Sequence, residues 1–338
     1  MPQPLELSRD EILGFRRRVG ALDQRLPPGK RSLRQAAWAG LTDSVPRSAL
    51  LSIHARVEGT RPSTWEDPSL VHVWGPRLST YLVPARDHAI FTLGRHPEEG
   101  RRRERAEDMA ARLHAFLGGR RLKDNEAQRA LGVGNGLKYA TTTGTVLIRW
   151  EGARAPTIWT VPRPEVDPLE ARRELAWRYL HVLGPATPDA FGRWAGIGPT
   201  RARAAFDGLS NSLVPVRTPI GDAWILSRDE PALRERPGPP AAARLLPSGD
   251  TYFLYWGAGR ELLVPDAAQR AELWTSRVWP GAVLVAGEIV GTWRRAQADV
   301  SIRLWRRLSR AERDAVEAEA RGLPLPAVEG RIVVRCER

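Results

Sequence analysis

Between residues 168 and 183, apolar side chains recur at Leu169, Leu175, Ala176, Leu180 and Leu183, a spacing that aligns them along one face of a helix. Gly184-Pro185-Ala186-Thr187 interrupts the pattern, and Thr187 is a capping type placed just before Pro188, which suits a first helical position. A second helix is predicted over 188–194 and a turn at Gly196-Ile197-Gly198. A third helix follows over 199–209, then short strands at 213–217 and 223–226 around Pro219-Ile220-Gly221-Asp222. Helix, helix, turn, helix and hairpin is the order of a winged helix-turn-helix, in which the helix after the turn reads the major groove.

The same order recurs twice upstream. Ser8 and Glu11 cap a helix that runs to about Gly20 with Ile12, Leu13 and Phe15 inward. A short helix is predicted over 32–38 and another over 46–57, with Ala49, Leu50, Ile53 and Val57 inward. Strands at 70–74 and 79–83 flank Gly75-Pro76-Arg77. Next come helices over 101–117, 125–131 and 136–141, and strands at 145–150 and 158–161. These are similarities of order, not fixed-period repeats. Gly132-Val133-Gly134-Asn135-Gly136 follows no strand and carries no Lys-Ser/Thr, so it reads as a turn.

After the Pro/Gly linker near 234–240 the pattern becomes short apolar runs between glycines. Strands are predicted at 252–255, 262–264, 282–286, 288–293, 300–305 and 331–335, with a helix over 310–321. The fold class expected is therefore α+β, with three tandem winged-helix units (1–98, 99–164 and 165–233) and a small β-barrel-like or half-barrel domain (241–338).

Charge narrows the function. The chain has 338 residues, with 52 Lys+Arg against 39 Asp+Glu, a net charge of +13. Arg and Ala enrichment accompanies GC-rich coding, but that bias alone does not produce a surplus over acids. A polyanion is the expected partner, double-stranded DNA first. Arg47, Arg77, Arg101, Arg121, Lys123, Arg201, Arg203 and Arg294 are the candidate DNA-binding residues. Cys336 is the only cysteine, and the six histidines form no HxxxH or HExxH pattern, so neither metal nor cofactor is expected. No apolar run is long enough to span a membrane, and the first residues start no signal peptide, which points to a cytoplasmic, nucleoid-associated monomer.

Several short landmarks, in order, carry a family resemblance. They are Ala39-Gly40-Leu41, the run Arg77 to Pro84 with Asp87, Tyr179 with Gly184-Pro185-Ala186-Thr187 and Trp194, Leu245-Leu246-Pro247 with Asp250 and Tyr252, and Gly287 to Trp293. Over nearly its whole length the chain resembles the AlkZ/YcaQ-type winged-helix DNA glycosylases, which unhook bulky alkyl adducts and crosslinks from DNA bases. The resemblance implies a concave DNA-binding surface and a catalytic turn after Gly40-Leu41. There the family carries Gln, an aliphatic residue, then Gln or Asp. This chain reads Thr42-Asp43-Ser44, and a shift by one gives Leu41-Thr42-Asp43. Neither alignment supplies the first Gln, and Gln35 lies on another turn.

Asp43 is the candidate catalytic carboxylate, able to stabilise a developing oxocarbenium sugar and accept a proton from water, with Thr42 and Ser44 holding that water. All three are also good capping types for the helix that follows, and the two roles are compatible. The expected activity is excision of bulky or cationic N-alkylpurines. The alternative is a non-catalytic winged-helix damage sensor or regulator with a degenerate motif.

Overall fold

The computed structural model describes residues 5–152, 154–236, 238–326 and 330–337. It is a mixed α+β fold with three sheets. Among the described residues no helix is long and apolar enough to cross a membrane.

The 165–233 segment forms as its pattern requires. Asp167 accepts the Leu169 and Glu170 N–H groups and starts helix Pro168–Leu183, and Thr187 caps Pro188–Ala195. Gly196, at φ 71°, turns the chain into Pro199–Asp207. The hairpin Leu213–Thr218/Gly221–Leu226 follows. Leu169 departs from the expected inward face: it lies in the first turn and is 48% exposed, while Tyr179 joins Leu175, Ala176 and Leu183 in the core. The third strand of this sheet comes from the start of the chain, where Leu5–Glu6 runs parallel to Leu213–Thr218. Helix Arg9–Val19, with its Ser8/Glu11 capping box, packs on Pro168–Leu183 and Glu230–Arg234. Ile12, Leu13 and Phe15 are thereby buried in the same core as Leu175 and Trp194.

The two upstream hairpins share one six-stranded sheet. Its order is Leu41–Thr42, Thr80–Pro84, Leu70–Trp74, Val146–Arg149, Thr157–Thr160, Leu122–Lys123. The halves meet where Leu70–Trp74 pairs antiparallel with Val146–Arg149, in register at His72 and Ile148. Helix Ser48–Arg56 packs on one half through Ala49, Leu50 and Ile53, and helix Arg101–Leu117 on the other through Met109, Leu113 and Leu117.

The last sheet has the order Ala243–Leu246, Gly281–Val285, Glu288–Ala296, Asp299–Leu304, Val333–Glu337, antiparallel except for the final pair. Helix Arg310–Arg321, capped by Ser309 and Glu312, covers it with Val316 and Ala320. Residues 252–255 and 262–264, expected as strands, are instead a 3-10 turn, Thr251–Phe253, and a helix, Gly259–Leu263. Asp250 captures the Tyr252 N–H and turns the chain, and all of Tyr252 to Tyr255 are buried. A short, wholly apolar run carries no period that separates the two conformations.

Candidate functional site

The motif turn is held at the edge of the six-stranded sheet. Leu41 and Thr42 pair with Leu82 and Tyr81, and the Asp43 N–H donates to the Thr80 carbonyl at 2.8 Å. The chain then passes through Arg47, in the left-handed region at φ 67°, into helix Ser48–Arg56. The Thr42 hydroxyl donates to the Gly249 carbonyl at 2.8 Å, tying the turn to the C-terminal segment. Next to that link, the buried Arg56 guanidinium grips Asp250 with two 2.7 Å bonds, and Ser52 donates to the same carboxylate at 2.6 Å.

Asp43 is 1% exposed. Its Oδ1 accepts the Ala49 N–H at 2.9 Å and lies 3.5 Å from Ser48 Oγ; its Oδ2 lies 3.1 Å from His72 Nε2 and 3.9 Å from Arg47 Nη1. An anionic side chain at this point caps the helix and meets the positive end of its dipole. Read as Thr42-Asp43-Ser44 the motif puts Asp43 at the aliphatic position, and read as Leu41-Thr42-Asp43 at the last one; its side chain is buried. Arg47 stacks its guanidinium 3.7 Å from the Trp65 ring and donates to the Trp150 carbonyl at 3.0 Å.

Ser44 is the exposed member of the three motif residues. It lines an open cleft of about 550 Å³ with Trp74, Asp124, Lys138 and Trp150. Lys138 Nζ stands 5.9 Å from the Trp74 ring centre. Asp124 is 7% exposed and accepts from Gln128 Nε2 at 3.1 Å; burial pushes its pKa above the usual carboxylate value. Sequence reading missed Asp124 and Lys138 as cleft residues. Their one signal was proximity to the Gly132–Gly136 turn, which names no facing surface.

The candidate DNA-binding residues separate by burial. Arg77, Arg101, Arg121, Arg203 and Arg294 are exposed. Arg77 has φ 54° and stacks 4.0 Å from the Trp256 ring, and Arg121 lies 4.5 Å from Trp159. Arg294 donates to the Val278 carbonyl at 3.1 Å. Arg47, Lys123 and Arg201 are half-buried. Lys123 donates to Thr157 Oγ1 at 3.0 Å. Arg201 Nη1 lies 3.4 Å from the carbonyls of both Arg95 and His96, so this side chain links helix Pro199–Asp207 to the chain at residues 95–96. Gly196 makes the neighbouring contact: a Cβ there would stand 3.0 Å from the Arg77 backbone. Several other arginines are interior, among them Arg16, Arg56, Arg95 and Arg172. Part of the positive charge therefore supports packing.

Helices packed on three sheets, exposed basic side chains and a cleft beside the motif turn define a mixed α+β protein with an accessible basic surface. The family described as DNA glycosylase AlkZ-like matches residues 36–324, and the chain belongs to it. An interstrand DNA cross-link repair glycosylase of Streptomyces sahachiroi is 29% identical over 176 residues, which is 50% of this chain and 46% of that protein. The aligned region thus spans about half the length of that curated relative. The solved structure of Streptomyces sahachiroi DNA glycosylase AlkZ superposes with a TM-score of 0.80 at 19% identity, covering 98% of this chain and 100% of that one. That likeness is one of fold.

Proposed function

We propose that this protein is a monofunctional DNA glycosylase that removes bulky or cationic N-alkylpurines from duplex DNA by hydrolysing the N-glycosidic bond. It acts as a monomer with three winged-helix units at 1–98, 99–164 and 165–233, the last completed by residues 5–19, and an open half-barrel at 241–338. The observation that carries this reading is Ser44 of the motif turn, in a chain of this family, lining a cleft that also holds Trp74, Trp150, Lys138 and Asp124.

Alkylation at purine N7 leaves a positive charge on the base and weakens its bond to the sugar. Cleavage then needs a surface for the departing base, a placed water and negative potential beside the sugar. Trp150 offers the surface, with Trp74 buried behind the cleft wall, and the Ser44 hydroxyl holds the water. Asp124 supplies the carboxylate, and its raised pKa suits it to take the proton of that water. Asp43 is a positioning residue: its capping bond to Ala49 and its contact with His72 fix the turn that presents Ser44. Thr42 anchors the other side of the turn. The exposed Arg77, Arg101, Arg121, Arg203 and Arg294 hold phosphates, while Arg47, Lys123 and Arg201 support them from behind.

The relative's printed association with interstrand crosslinks makes crosslinked purines a substrate to include. The test is release of N7-alkylguanine from methylated, bulky-adduct and crosslinked duplexes in single turnover. Release from any of them supports the reading. Release from none, with duplex binding intact, leaves a DNA-binding protein without this activity.

A further inference from the structure

A recessed cavity of about 260 Å³ lies outside the motif cleft, where helix Arg9–Val19, the 185–190 turn, the Gly221 hairpin and residues 255–262 meet. Arg16 lines it and is 2% exposed. Its Nε donates to the Gly184 carbonyl at 2.9 Å and its Nη2 to the Leu183 carbonyl at 3.0 Å, which occupies one edge of the guanidinium. The guanidinium carbon is 4.5 Å from the Tyr255 ring centre. Nη1 is wholly covered and has no partner, and among the described residues no carboxylate lies within 4 Å of this charge. A buried cation with only carbonyls and a ring face around it is costly to maintain, and a complementary anion relieves that cost.

A second donor lies close by. Tyr179 lines the same cavity, is 3% exposed, and makes no side-chain hydrogen bond among the described residues. Burial pushes its pKa up and the Arg16 charge acts on it, so near neutral pH it is an uncharged hydroxyl within the field of the guanidinium. The remaining wall is largely apolar, with Ile12, Ala186, Ala223, Trp256 and Leu262. The cavity is also lined by Asp189, Asp222 and Arg193, all exposed, and this rim, negative by one charge, disfavours a ligand with more than one negative charge.

We propose that this cavity binds a small aromatic monocarboxylate, whose carboxylate accepts from the Tyr179 hydroxyl within the field of the buried Arg16 guanidinium and whose ring lies against Trp256. The proposal is independent of the glycosylase reading.

Isothermal titration of the full chain with benzoate and with phenylacetate tests it, beside benzyl alcohol (ring without charge), acetate (charge without ring) and inorganic phosphate. At least one aromatic acid is expected to bind saturably at one site, at least tenfold more tightly than any of the three controls. Arg16→Gln is expected to weaken that binding at least tenfold. Ala258→Trp, at an exposed position on the cavity lining, is expected to do the same by filling the space while leaving Arg16 in place, and it carries the test if Arg16→Gln does not fold. Absence of saturable binding of both acids, equal binding of any control, or undiminished binding in the folded variants overturns the proposal.

Discussion

The Asp43 carboxylate and the His72 imidazole meet at 3.1 Å, with both side chains buried, across the seam between the motif turn and strand Leu70–Trp74. The same carboxylate caps helix Ser48–Arg56 through Ala49. One side chain thus joins a strand, a turn and a helix start. Asp43→Asn keeps an acceptor for the Ala49 N–H and an amide donor for an unprotonated imidazole nitrogen, so it is expected to cost less than about 1 kcal/mol. Asp43→Ala removes the cap and strands His72, at a cost of about 2–3 kcal/mol. Urea unfolding of the two variants measures the difference, and equal stabilities would remove the cap from the account.

Chemistry separates from capping at the cleft. Asp124→Asn is expected to slow single-turnover release of N7-alkylguanine by about two decades, the usual scale for losing one electrostatic group beside a charged transition state. Asp43→Asn is expected to alter that rate far less. A slow Asp43→Asn with a normal Asp124→Asn reverses the two assignments.

The exposed arginines predict a strong salt effect. A protein holding six or so phosphates loses about three decades of duplex affinity between 50 and 200 mM salt. Fluorescence anisotropy titrations measure the slope. A flat dependence contradicts a phosphate-gripping surface.

Arg201 and Arg203, two residues apart, should behave differently. Arg203→Glu is expected to weaken duplex binding with little change in melting temperature, because the side chain is exposed. Arg201→Glu loses its contacts with the Arg95 and His96 carbonyls. It is expected to lower stability by about 1 kcal/mol. Parallel melting curves and binding titrations distinguish these outcomes.

His54 gives a pH prediction. Desolvation, the largest cause, lowers its pKa from 6.5 to about 4, with Arg25 acting in the same direction and Glu319 opposing. The unfolded chain therefore binds this proton first as pH falls. The stability contributed by a neutral His54 is full above about pH 6.5 and is lost progressively down to about pH 4, by at most about 3 kcal/mol. Melting temperature against pH should fall less steeply across that window in His54→Gln than in the wild type. Identical slopes would contradict the assignment.

Local signals made much of the fold legible in the sequence. Helices Arg101–Leu117, Pro168–Leu183 and Arg310–Arg321 run over the spans their periodicity and end residues predicted. Asp167 and the Ser309/Glu312 box fix two of the starts, and Gly118, left-handed at φ 53°, ends the first. Four helices were not foreseen, His88–Leu93, Glu230–Arg234, Gly259–Leu263 and Ala267–Leu273, although Asp266 caps the last. They are only one to two turns long, too short for a helical period to declare itself. The motif turn was legible as a cap, but the direction of Asp43 depends on the strand beside it. The burial of Arg16 is set by residues far along the chain, Leu183, Gly184 and Tyr255.

The pairing of Leu5–Glu6 with Leu213–Thr218 sets an order of events during synthesis. At about 5–20 residues per second, a ribosome makes the partner strand roughly 10–40 s after the first one. Until residues 168–183 are made, late in that interval, Ile12, Leu13 and Phe15 lack the helix they pack against. The nascent chain must shelter this apolar helix, on a chaperone or against transient contacts, while the six-stranded sheet is completed first. Transposing residues 5–19 to follow residue 233 would shorten that wait and should raise the yield of soluble protein at high expression rates.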